Sequence, residues 1–490
     1  MSLDEELRQT KEKLNKTSPS FCLAKWNQVT IHLNSGTTHS CHHCPAHKIP
    51  LEELKNNPSA IHNTLEKKNT RKMMLEGKRP SECDFCWRVE DLKDKNVYSD
   101  RVKKSNEFWN EDRIETVPKM PWDANIAPKY LELDFSNACN FKCIYCSPAY
   151  STSWMKEVRE HGPHKLEPWD FNSLYIMEKE NMMPWEGEEQ DNPYIQAFWK
   201  WLPDIVDSLQ VIRLTGGEPL LSKNTFKLID YYIDHPQPDA IFDINSNLGA
   251  PDAFIDKLIE SINKLFANKA IKKMTIFTSC EATGAKAEYI RHGLNYERWV
   301  KNVDRILSET PARVTVMSTY NMLSVTSYKD FLADMLKLLH KHITPYKPGL
   351  NQKGWHPLHI DFPYLRYPYF LSAWVLTEDY LKHIKETVDF IEQNQIEWGS
   401  YPDPINPRAG YLPYVQKVGF TDWMLHDAKR LYGVLENAIV NNIGRVNPVE
   451  VDRKAFWKFV DENDRRRGSK FLEVFPEMTE FYNFCKNTYP

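Results

Sequence analysis

Two hydrophobic periods alternate along the middle of the chain. Short apolar runs at 130 to 135, 210 to 215, 241 to 246, 273 to 279, 313 to 319 and 357 to 362 read as strands, and Tyr130 to Phe135 shows the period-2 alternation of a half-buried one. Between and after them, Thr225 to Ile233, Ala253 to Phe266, Glu297 to Leu307 and Tyr328 to Leu339 carry apolar residues at helical spacing. Strand followed by helix, repeated, predicts a parallel sheet with helices outside. Such a sheet places its chemistry at the carboxyl ends of its strands.

The flanks are patterned differently. Val29 to Leu33 alternates, Asn34-Ser35-Gly36 turns, and Thr37 to Cys41 returns, which predicts a hairpin with Cys22 and Cys41 near its ends. A helical run from about His62 to Glu76 stops at Gly77 and leads to Cys83-Asp84-Phe85-Cys86. Pro118, Pro121 and Trp122 mark a linker. Beyond residue 370 the chain is helical, aromatic and charged. These shifts predict an α/β protein in three parts: a cysteine-rich hairpin and helix domain over 1–95, a core over 125–370 and a helical extension over 371–490.

The predicted strand ends hold unusual residues. The first is followed by Cys139, Cys143 and Cys146, a trio that can hold a 4Fe-4S cube by three of its irons and leave the fourth open for chemistry, whereas an electron-transfer cluster takes four thiolates. A zinc knuckle would need a fourth ligand, and the nearest histidines, His161 and His164, are not close to Cys146. The second strand ends in Thr215-Gly216-Gly217-Glu218-Pro219, where glycines permit close backbone approach to a ligand. Asn245, Ser246 and Asn247 close the third with groups suited to a ribose, or form a polar turn. The fourth ends at Ser279-Cys280-Glu281, with Arg291 ten residues on, either a bidentate partner for a carboxylate or a solvated charge. Cys280 reads as a small buried apolar residue.

The spacing CxxxCxxC together with the Gly-Gly-Glu-Pro strand end resembles the radical S-adenosylmethionine (SAM) enzymes. The resemblance implies a partial (β/α)6 TIM-like barrel, which the count of six strands supports. It also implies a 4Fe-4S cluster on Cys139, Cys143 and Cys146 whose open iron chelates SAM. Gly216, Gly217 and Glu218 would meet the SAM amino group, Asn245, Ser246 and Asn247 the nucleoside, Tyr145 the adenine, and Ser279 with Arg291 the carboxylate. Reduction would then yield methionine and a 5'-deoxyadenosyl radical that takes a hydrogen atom from a substrate, the protein supplying position and exclusion of water. The reductant implied is an electron donor such as flavodoxin or ferredoxin.

The amino-terminal cysteines resemble the twitch domain, a shortened SPASM domain that carries an auxiliary iron-sulfur cluster, although there it follows the barrel and here it precedes it. The resemblance implies Cys22, Cys41, Cys83 and Cys86 as ligands, with Cys44 a fifth thiol. Structural zinc is the alternative occupant. His39, His42, His43 and His47 read singly as surface or hydrogen-bonded residues.

Composition narrows the rest. A chain of 490 residues, 41% hydrophobic, buries a sizeable core. The net charge of -4 argues against a nucleic-acid partner bound through global charge. No apolar run approaches the ~20 residues of a membrane span, and clustered cysteines with a charged start point to metal ligation in the cytoplasm. Asp464 to Gly468 reads as a solvated helix end or as a site for an acidic substrate group, and no GxSxG, Walker or HExxH motif is present. A peptide or protein substrate is expected. The other readings are a small-molecule radical SAM enzyme and a non-catalytic zinc protein.

Overall fold

A computed structural model describes residues 3–92, 97–111, 113–343, 357–402 and 411–489. The expected boundary at residue 95 lies outside these. The fold is α/β, built on a nine-stranded sheet: β1 (Gln28–His32), β2 (Thr37–His39), β3 (His47–Lys48), β4 (Tyr130–Asp134), β5 (Val211–Thr215), β6 (Ile241–Asn245), β7 (Lys273–Thr278), β8 (Arg313–Met317) and β9 (Leu358–Asp361). Their order is β9-β8-β7-β6-β5-β4-β1-β2-β3. All six strands read from the sequence are present. The parallel pairs β4 with β5, β5 with β6, β7 with β8 and β8 with β9 are consistent with the expected partial TIM-like barrel.

The predicted hairpin forms as β1 and β2, pairing Thr30 with His39. Its first strand also pairs in parallel with β4, Gln28 opposite Tyr130 through His32 opposite Asp134, and so lengthens the parallel set. The reason is its burial. Val29 and Ile31 are wholly enclosed, and the residues that alternate with them, Gln28 and Thr30, are buried too. A strand enclosed on both faces belongs inside a sheet.

The helices follow their apolar spacing. Tyr296–Glu309 buries Tyr296, Trp299, Val303 and Ile306, and begins where the Asn295 side chain accepts from Arg298 N. Leu65–Leu75 starts under a Thr64 cap and ends before Gly77, whose φ of 75° suits a helix stop. Among the described residues no helix is long and apolar enough to cross a membrane.

The chain divides into two compact units. The first comprises Met1–Ala138, Tyr175–Asn245 and Lys264–Met274; the second comprises Cys139–Leu174, Ser246–Asn263 and Thr275–Pro490.

Candidate active site and metal centres

In the first unit the glycine pair meets the start of the cysteine loop. Gly217 N donates to Ser136 O at 3.2 Å and Glu218 N to Ala138 O at 2.6 Å. A Cβ on Gly217 would lie 2.4 Å from Ala138 O, and one on Gly216, whose φ is 118°, would lie 2.8 Å from Asp134 Cβ. Only glycine fits either position. Glu218 is buried and its carboxylate caps Leu220 N at 3.1 Å. Asn245 accepts from Arg213 Nε at 2.9 Å. Beside this turn Asp134 is buried against His32 Nδ1 at 2.6 Å. Burial alone would lower the His32 pKa, but the Asp134 carboxylate outweighs it and the net direction is up.

In the second unit the loop carrying Cys139, Cys143 and Cys146 is tied down carbonyl by carbonyl. Ser153 Oγ donates to Cys139 O at 2.8 Å, Ser151 Oγ to Phe141 O at 2.7 Å, Trp154 Nε1 to Cys143 O at 2.8 Å and Asn172 Nδ2 to Cys146 O at 3.1 Å. Arg467 Nη1 donates to Lys142 O at 2.9 Å. This corrects the reading of Asp464 to Gly468 as a solvated helix end. Arg465 is exposed, but the side chains of Arg466 and Arg467 are nearly inaccessible, Arg467 pairing with the equally enclosed Glu157 carboxylate. The pattern of the helix Val449–Arg467 could not show which arginines its neighbours cover.

The sulfurs themselves have donors. Asn247 Nδ2 lies 3.8 Å from Cys139 Sγ and 2.9 Å from Asn140 Oδ1, so the third-strand end reaches the cysteine loop. Phe141 N lies 3.5 Å from Cys139 Sγ and Arg291 Nη1 lies 3.8 Å from Cys143 Sγ. Burial pushes the Cys146 thiol up to about 12 and raises Cys143, against which Arg291 acts. A metal binding here would displace those protons.

Of the remaining expected residues, Ser246 is buried, its Oγ accepting from Leu248 N, and Ser279 is half-buried. Tyr145 OH donates to Glu281 Oε1 at 2.9 Å, and Arg291 is held by Glu281 through Nε at 2.9 Å and Nη2 at 2.6 Å. The guanidinium therefore has a carboxylate from the chain itself. Cys280 is wholly buried, as read.

The amino-terminal cysteines converge. Cys22, Cys41, Cys44, Cys83 and Cys86, all buried, line one cavity with Lys25, Arg101 and Lys104. Cys44 Sγ lies 3.9 Å from Cys83 Sγ and 3.3 Å from Lys25 Nζ. Hydrogen bonds from Cys41 and Cys83, together with the Lys25 ammonium, hold Cys44 toward the thiolate. Cys41 and Cys83 are raised in turn. Among the described residues Glu82 pairs with the buried Lys25 and Glu90 with the buried Arg101. The cations that line the cavity, Lys25, Arg101 and Lys104, suit a thiolate-rich centre of negative charge. The position of Cys44 in this cavity was legible as spacing: 41 and 44, like 83 and 86, form a C-x-x-C pair. Lys25 carried no such signal. His39, His43 and His47 are hydrogen-bonded to Cys41 O, Asp100 and Thr64, and His42 is exposed.

No family model matches the chain. It is similar to GTP 3',8-cyclase of Sulfurimonas denitrificans, 28% identical over 120 residues that make up 24% of this chain and 28% of that protein. It is also similar to GTP 3',8-cyclase of Campylobacter lari, 26% identical over 108 residues, 22% of this chain and 24% of that protein. The chain thus spans about a quarter of the length of the curated relatives it matches. Those relatives are radical SAM enzymes, and the similarity supports that superfamily.

Proposed function

We propose that the chain is a radical SAM enzyme with two metal centres: a 4Fe-4S cluster on Cys139, Cys143 and Cys146 whose fourth iron takes SAM, and an auxiliary iron-sulfur centre in the five-cysteine cavity. One observation carries the reading. The Gly216-Gly217 backbone lies against Asn137 and Ala138, which immediately precede Cys139 in the chain. A structural zinc knuckle would have no use for that glycine pair.

When bound, the cluster supplies the electron that cleaves SAM. The chain's part is to hold and orient. Gly216, Gly217 and Glu218 receive the amino group, Asn245, Ser246 and Asn247 the nucleoside, and Tyr145 and Ser279 the rest of the cofactor. In this reading residues 1–95 are the auxiliary domain, 125–370 the catalytic core and 371–490 an extension that buttresses the cysteine loop through Arg467. A flavodoxin or ferredoxin in the cytoplasm is the reductant.

The substrate proposed is a peptide or protein, the frequent use of a twitch-type auxiliary domain. A second reading, a nucleoside triphosphate, is favoured by the likeness to GTP 3',8-cyclases. The test is anaerobic reconstitution followed by metal counts and SAM turnover under reductant. Iron that falls by about four per chain, and 5'-deoxyadenosine that disappears, in a C139A/C143A/C146A variant would support the enzyme. Two zincs, no iron and no response to SAM would sink it. Release of 5'-deoxyadenosine stimulated by GTP would select the nucleotide reading over the peptide one.

A further inference from the structure

Arg291 is placed against the cysteine loop by backbone as well as side chain. Residues 291–292 pair antiparallel with 142–143, setting Arg291 directly opposite Cys143, and Ile144 N donates to Ile290 O at 2.9 Å. Gly293, with a φ of 108°, lets this segment close on the loop, since a Cβ there would lie 2.8 Å from Asn140 O. The guanidinium is buried, its centre 5.4 Å from that of the Tyr145 ring. Glu281, also buried, takes Nε and Nη2, and Tyr145 OH takes the other oxygen of the same carboxylate. What remains directed at the loop is Nη1, 3.8 Å from Cys143 Sγ.

We infer that Arg291, fixed by Glu281 and Tyr145, is a positioning residue that sets the reduction potential of the cluster through the sulfur of Cys143. This rests on the reading of Cys143 as a cluster ligand. A ligand's outer partners fix its orientation and tune the metal, and hydrogen bonds to cluster sulfurs are among the determinants of potential. Donation to a thiolate sulfur drains its charge and favours the reduced cluster. The Glu281 carboxylate works in the opposite sense, because it neutralises the cation that the sulfur faces. The role differs from the carboxylate grip on SAM that the family resemblance implies, since Glu281 already occupies the fork of the guanidinium.

The opposition gives signed predictions. Arg291→Lys keeps the charge but loses the planar fork, so the potential falls. Glu281→Gln keeps the shape but removes the negative charge, so the potential rises. A tenfold change in the reduction equilibrium, 59 mV for a one-electron couple, is the expected scale. The experiment is an EPR-monitored redox titration of the iron-loaded full chain without SAM, following the signal that is missing from the C139A/C143A/C146A variant. Opposite shifts in the two variants at wild-type iron content support the inference. Unchanged potentials, or shifts of the same sign, overturn it. Should Arg291→Lys fail to load iron, Glu281→Gln decides alone, an upward shift supporting and no shift overturning. If the native chain holds no iron that depends on the three cysteines, the cluster reading falls and this inference with it.

Discussion

Replacing Gly217 by alanine tests the close approach of the glycine pair to the backbone at Asn137 and Ala138. The new Cβ would stand 2.4 Å from Ala138 O and 2.7 Å from Asn137 C and O, all backbone, so none can rotate away. The contact must open by at least 0.6 Å to reach the 3.0 Å that real Cβ atoms essentially never undercut. Opening it strains two backbone hydrogen bonds, Gly217 N to Ser136 O and Glu218 N to Ala138 O. With a net ~1 kcal/mol for each bond and ~1–3 kcal/mol for overpacking, the expected loss is about 3–5 kcal/mol. Urea unfolding of the metal-free chain measures it as a lower midpoint. Equilibrium dialysis with SAM on the iron-loaded protein measures the second consequence, weaker binding, because the displaced carbonyl precedes Cys139. Gly433→Ala is the control: that glycine lies inside the helix Asp422–Val440 with nothing within 4 Å of a Cβ, so alanine stabilises by roughly 0.5–1 kcal/mol. A Gly217→Ala protein with native midpoint and native SAM affinity would refute the close-approach argument.

Arg467→Ala leaves Glu157 buried beside Lys142 alone, and should cost about 3–5 kcal/mol, read as a lower urea midpoint and faster iron loss to a chelator. His164 is enclosed with neither ring nitrogen hydrogen-bonded, and burial lowers its pKa from 6.5 to about 3; the unfolded chain takes up a proton first, so stability falls as pH drops through that window, and His164→Phe should flatten the profile in acid unfolding curves. For His32 the folded pKa is raised by Asp134 against the pull of burial; the pair's contribution is whole below the ordinary histidine range and lost as pH rises through and above it, so His32→Asn should selectively lower the unfolding midpoint on the acid side of that range. Cys44→Ser should lower the metal content of the amino-terminal centre as far as Cys83→Ser does, and a count equal to the native one would remove Cys44 from the ligands.

The sequence by itself determined the alternation of elements. A six-strand pattern with helices between is written in local periodicity, and some helix starts carry a side-chain cap, as at Thr64 and Asn295. Local spacing also marked the cysteine trio and the glycine pair, because a loop that approaches a ligand constrains residue types over a few positions. Tertiary structure decided the rest. Pairing of β1 with β4 joined the hairpin to the sheet, which alternation cannot reveal because it reports burial but not the neighbour. The convergence of Cys22, Cys44 and Lys25 on one cavity, and the hold of Glu281 on Arg291, bring together residues from distant segments. Arg466 and Arg467 differ from Arg465 only in what packs over them. Charge partners and desolvation depend on those long-range contacts, so the polar chemistry around the thiols became visible only once the chain was folded.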